Sequence, residues 1–174
     1  MTAAAFPAGR PRHLAFLPKF LFSAAEPKLG YVVKAWLLAL VPSLALALAV
    51  TVAVGGAEPP PDEMRDPRFI FLVVAVSPPL ETLLMIPPLW ALEQRLGATR
   101  AVVGSALIWA ALHSLASPLW GLVVWWPFLI LSTALLTWRQ RGIARAVLLV
   151  TAIHVLQNAV AAALPLVLTR VASG

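Results

Sequence analysis

The chain has 174 residues, 61% of them hydrophobic and 11% charged, with a mean hydropathy of +0.90, which excludes an ordinary soluble domain and points to one compact membrane domain. It contains no cysteine, so disulfides, thiolate metal sites and a cysteine nucleophile are excluded as well. The net charge of +6 does not mark a nucleic-acid partner, because the basic residues lie in loops flanking apolar stretches, the pattern of membrane orientation.

Residues 1–30 read as a segment of their own. Leu14, Phe16, Leu17, Phe20, Leu21 and Phe22 are interleaved with Arg12, His13 and Lys19 and broken by Pro18. Such a segment is expected to lie on the cytoplasmic interface, apolar side toward lipid and basic side toward anionic headgroups, or else to form a partly disordered tail. A cleaved signal peptide has an apolar core of about 7–15 residues, whereas the first apolar stretch here is longer and starts later.

Residues 31–170 then make a transmembrane helical domain. A helix crosses the bilayer with about 20 apolar residues. The first such stretch, 31–54, ends in Gly55-Gly56, and an acidic, proline-rich loop from Glu58 to Asp66 follows outside the membrane. The second is 69–92, and the third runs from just after Arg100 to Ser117-Pro118, where the residue before proline avoids helical geometry. The fourth is 119–138, and after Arg139-Gln140-Arg141-Gly142 the fifth is 143–168. Ten basic residues fall on the side of the N-terminus, and three (Arg65, Arg68 and Arg170) on the other, beside Glu58, Asp62, Glu63 and Asp66. The expected fold is therefore an all-α, polytopic integral membrane protein with about five transmembrane helices, multi-pass in the cell membrane, its N-terminus cytoplasmic. Membrane lipids are its expected surroundings. Small residues, among them Ala101, Gly104, Ser105, Ala110 and Ala111 in the third span, are expected to let helices pack closely.

Glu81 is the one acidic residue within a membrane-length apolar stretch. A carboxylate at the bilayer centre costs roughly 2.5–3.5 kcal/mol on insertion scales, so such a residue normally faces a partner or a wet cavity. His113 and His154 also interrupt apolar spans. Trp109 and His113 are four residues apart, as are His154 and Asn158, so each pair shares a helix face. Glu81, His113 and His154 lie at roughly 13–20 Å along their spans, a common depth at which three helices can bring them together. Pro78-Pro79 and Pro87-Pro88 bracket Glu81. Each proline removes a backbone donor, freeing carbonyls near Val74 and Leu83 that protein or cavity water must satisfy.

Two chemistries suit these residue types. In one, Glu81 is the general base for a water held with one histidine, while the other histidine and Asn158 stabilise a developing oxyanion, as amide hydrolysis requires. In the other, Glu81, His113 and His154 bind a divalent metal such as zinc. A bland role also exists for each, as an interhelical hydrogen-bonding group.

The motifs that carry these residues resemble those of the CPBP family, the type II CAAX-prenyl-protease and bacteriocin-processing group also called Abi proteins. Its pattern is Glu-Glu-x-x-x-Arg, then aromatic-x-x-x-His, then His-x-x-x-Asn. The stretch Glu81-Thr82-Leu83-Leu84-Met85-Ile86 is similar to the first motif, Trp109-Ala110-Ala111-Leu112-His113 to the second and His154-Val155-Leu156-Gln157-Asn158 to the third. The resemblance covers about 69–168. It departs at Thr82, in the place of the second glutamate, and at Ile86, in the place of the arginine. It implies an intramembrane endopeptidase acting on a membrane-associated peptide, with Glu81 and His113 activating water and His154 and Asn158 polarising the scissile carbonyl. The alternative is a non-catalytic member serving as a scaffold, immunity or accessory protein.

Overall fold

The structure, a computed structural model, describes residue 6 and residues 9–56 and 62–172. Residues 1–5 and Glu58 of the acidic loop lie outside them. The described residues form no strand, and five helices dominate: α1 (Lys28–Ala53), α2 (Pro67–Leu96), α3 (Ala98–Ala116), α4 (Trp120–Arg139) and α5 (Ile143–Ala172). All five are long and apolar enough to cross a membrane. Their outer faces carry large exposed apolar side chains, including Leu48, Leu84, Leu107 and Leu148, a surface that water would not tolerate and lipid would. The chain is an all-α multi-pass membrane protein.

The ends of the helices follow from local chemistry. Asp66 caps α2 by accepting the Arg68 N–H at 2.8 Å, with Pro67 in the first turn, where its missing donor costs nothing. Gly97, at φ 77°, is the single residue between α2 and α3, and that backbone conformation strains any residue with a Cβ. Ser117 is extended before Pro118 and ends α3. Gly142 supplies a positive φ of 110° between α4 and α5. The second helix extends a turn beyond 92, which carries Glu93 into line with α4. There Arg139 Nη2 donates to Glu93 Oε1 at 2.5 Å, and Nη1 pairs with Oε2.

The most enclosed helix is α4. Every residue from Pro127 to Trp138 is buried, and the helix packs on α1, α3 and α5, so an apolar surface all round is what its position requires. Its start can approach α3 because residue 121 is glycine. A Cβ there would stand 2.1 Å from Ser114 Oγ and 2.5 Å from the Ala110 carbonyl oxygen. Deeper along the same pair, Ser132 Oγ donates to Ser105 Oγ at 3.0 Å.

The N-terminal segment differs from its expected place against lipid. Two 3-10 turns, Arg12–Leu14 and Lys19–Phe22, follow Pro11 and Pro18. They fold Leu14, Leu17 and Leu21 inward, where all three are buried in the same core as Tyr31 and Trp138. The Leu21 carbonyl accepts from Tyr31 Oη at 2.9 Å and from Thr137 Oγ1 at 3.0 Å. Burial against protein removes the three leucines from water, and the two donors satisfy the carbonyl that this burial takes out of reach of solvent. Phe16 remains exposed.

Candidate functional site

The site starts from a backbone defect in α2. Between Leu72 and Val76 the helix widens to π geometry, and the Ser77 N–H reaches back five residues to the Leu72 carbonyl. The next carbonyl, Val73, has lost its usual donor at residue 77 and would turn to residue 78. Pro78 has no N–H. The vacancy is met from α5, where Asn158 Nδ2 donates to the Val73 carbonyl at 3.0 Å. The prolines were legible as a source of freed carbonyls. That Asn158 serves one of them depends on which helices are neighbours.

Just past the defect, Ser77 Oγ donates to Glu81 Oε1, one helical turn on. That bond orients the carboxyl group and leaves Oε2 toward the two histidines. Glu81 lies sixteen residues before Gly97 and His113 sixteen after it. A one-residue link between antiparallel helices therefore sets the two at equal depth, roughly 24 Å along each helix. Glu81 Oε2 is 4.0 Å from His113 Nε2 and 3.7 Å from His154 Nε2. Oε2 is buried, and no group among the described residues hydrogen-bonds to it. Three of the four site residues read from the sequence thus converge on one oxygen. The fourth, Asn158, borders them through the backbone of α2.

The histidines differ in their anchoring. His113 Nδ1 donates to the Trp109 carbonyl at 2.8 Å, which directs Nε2, with its lone pair in the neutral ring, toward Glu81. His154 is almost wholly buried, and its Nδ1 has no hydrogen-bond partner among the described residues. Phe128 of α4 packs against both rings, with centroids 5.2 Å from His113 and 5.6 Å from His154, and it stacks on Trp109 at 5.0 Å. Trp120 meets His113 edge-on at 5.4 Å. The surroundings are an aromatic box with a polar floor, about one-fifth open at the Glu81 and His113 side chains.

No protein-family model, curated protein or solved structure matches the chain.

A resident divalent metal does not fit this arrangement. Among the described residues no group of three His, Cys, Asp or Glu side chains is placed to hold one. Donors around tetrahedral zinc stand roughly 3.3 Å apart, and the separations of 3.7 and 4.0 Å here are wider. Thr82 is completely buried, with its hydroxyl unpartnered among the described residues. Ile86 packs partly buried against the core. Ser77 and Phe128 were not singled out in the sequence. The spacing of Ser77 four residues before Glu81 was a usable signal, whereas nothing along the chain marks Phe128 as a ring that touches both histidines.

Proposed function

We propose that the chain is an intramembrane endopeptidase of CPBP type, hydrolysing a membrane-associated peptide through a water activated by Glu81 and His113. The reading is supported most by one observation: the unbonded Glu81 Oε2 faces His113 Nε2 across 4.0 Å. Two acceptors at that separation are spanned by one water about 2.8 Å from each, which donates a hydrogen to both and keeps a lone pair for attack. As that oxygen adds to the scissile carbonyl, Glu81 Oε2 takes the proton. The oxyanion is met by an N–H of His154 and by the Asn158 amide hydrogen not given to Val73. The proton then passes to the amine as the C–N bond breaks, leaving a carboxylate and a free amine.

The chain sits in the cell membrane with its N-terminus cytoplasmic, which the ten-to-three distribution of basic residues supports. Membrane lipids and a membrane-associated peptide are its partners, and nucleic acid is not. A second reading, a non-catalytic CPBP-like scaffold, immunity or accessory protein, is favoured by Asn158, whose amide already serves the Val73 carbonyl. Thr82 and Ile86, in place of the charged pair, favour it too.

The two readings separate in nanodiscs given quenched-fluorescent peptides, farnesylated and unmodified, in water enriched in oxygen-18. The protease puts the heavy isotope into new carboxyl termini, and Glu81→Gln abolishes this while melting as the wild type does. Turnover that survives Glu81→Gln refutes Glu81 as the base. Absence of cleavage across both peptide sets favours the scaffold.

A further inference from the structure

Three helix ends meet on the side of the molecule that carries the N-terminal segment: the start of α1, the end of α4 and the start of α5. Between them lies a cavity of about 360 Å³, lined by Glu26, Lys28, Trp138, Arg141 and Arg145 together with small residues. Its charges do not balance. Lys28, Arg141 and Arg145 are exposed, and the charged group of none of them has an ion pair or hydrogen bond among the described residues. The single carboxylate of the wall, Glu26, is taken by Lys34 at 3.0 Å. Three unpaired cations around one hollow repel each other, and an anion seated among them relieves that repulsion.

The neighbours of the cations define the rest of the ligand. Leu29, beside Lys28, is 78% exposed, and Ile143, between Arg141 and Arg145, is 41% exposed. Both begin membrane-spanning helices that pack directly on each other, so exposed apolar side chains stand next in the chain to the cations. Trp138 closes the inner wall, nearly inaccessible and held edge-on to Tyr31 at 5.2 Å. An open basic hollow at helix ends, with exposed apolar residues beside its cations, matches a molecule with a phosphate at one end and acyl chains at the other.

We propose that this cleft binds one anionic glycerophospholipid, its phosphate among Lys28, Arg141 and Arg145 and its chains along Leu29 and Ile143. The site is separate from Glu81 and stands whether or not the chain is a protease. Free phosphate shares the headgroup chemistry but leaves the apolar flank unused.

The test uses the full chain in an uncharged detergent, with thermal melting followed against dihexanoyl phosphatidylglycerol, dihexanoyl phosphatidylcholine and inorganic phosphate. Phosphatidylglycerol is expected to raise the melting temperature saturably, and phosphatidylcholine and phosphate at equal concentration are not. The R141Q/R145Q double variant weakens the apparent affinity by about tenfold or more. The R95Q/R100Q pair, equally basic and at the same end of the bundle, leaves it unchanged. Equal stabilisation by phosphatidylcholine overturns the proposal, as does an equal loss in the control pair. An equal effect of inorganic phosphate reduces the site to a phosphate site. Should R141Q/R145Q not fold, native mass spectrometry of the wild type in an equimolar mixture of the two lipids decides: one retained phosphatidylglycerol supports the site, and no preference overturns it.

Discussion

Replacing Asn158 by leucine tests the coupling between the backbone defect in α2 and the candidate site. The substitution removes the donor 3.0 Å from the Val73 carbonyl and leaves that acceptor facing apolar surroundings. Orphaning a buried acceptor costs about 1–3 kcal/mol in general, but interhelical hydrogen bonds in membranes average about 0.6 kcal/mol and reach about 1.7. The bond is only partly buried, so we expect a loss of about 1 kcal/mol. The informative arm is the same change in a Pro78→Ala background. Residue 78 then has an N–H, and the Val73 carbonyl gains a backbone partner whether α2 keeps its π turn or relaxes to α geometry. Loss of Asn158 packing is common to both arms and cancels in their difference, so Asn158→Leu should cost less there by roughly the worth of the bond, about 0.6 kcal/mol or more. Equilibrium unfolding by mild detergent–SDS titration of all four proteins measures the cycle. Costs that add to within about 0.3–0.5 kcal/mol would refute the account of Asn158 as the substitute for a proline-deleted donor.

Three further outcomes are expected. Breaking the Glu93–Arg139 pair with Arg139→Leu alone leaves a carboxylate only 16% exposed without its partner and destabilises on the order of 3 kcal/mol, whereas Glu93→Leu with Arg139→Leu recovers most of that loss in the same unfolding assay. Gly121→Ala places a Cβ 2.5 Å from a backbone oxygen and costs about 1–3 kcal/mol; Ser114→Ala does not rescue it, because the Ala110 carbonyl remains, and full rescue would show that the helices separate easily. Tyr31→Phe and Thr137→Val each leave the Leu21 carbonyl one donor, so each single change costs about 1 kcal/mol or less, while the double change orphans the acceptor and exceeds their sum. Trypsin cleavage after Arg12 and Lys19 reports release of the segment, and strict additivity would argue against a shared acceptor.

How much of the site was legible along the chain differs residue by residue. Glu81 stood out because a carboxylate in a span is costly wherever the helix goes. Its match in depth with His113 was also inherent, since Gly97 halves the interval between them. His154 could be placed at a similar depth but not on a particular face. The role of Asn158 was the least readable, because the spacing that pairs it with His154 says nothing of the Val73 carbonyl on another helix. The N-terminal segment illustrates the same boundary. Its mixture of leucines and basic residues suits a lipid surface, and it is burial beside Tyr31 and Thr137, distant in sequence, that draws it against protein.

What the sequence determined by itself is what depends on local composition and length: five apolar spans, breaks near Ser117-Pro118 and Gly142, and one helix weakened by prolines around a carboxylate. These follow from transfer free energy and backbone stereochemistry, which act residue by residue. The tertiary structure decided which groups meet: Glu81 Oε2 before two histidines, Phe128 against both rings, Arg139 on Glu93, and Asn158 on an orphaned carbonyl. Directional contacts between helices depend on rotation and register about each helix axis, and a hydrophobic pattern that is apolar nearly all round leaves both undetermined until the helices pack.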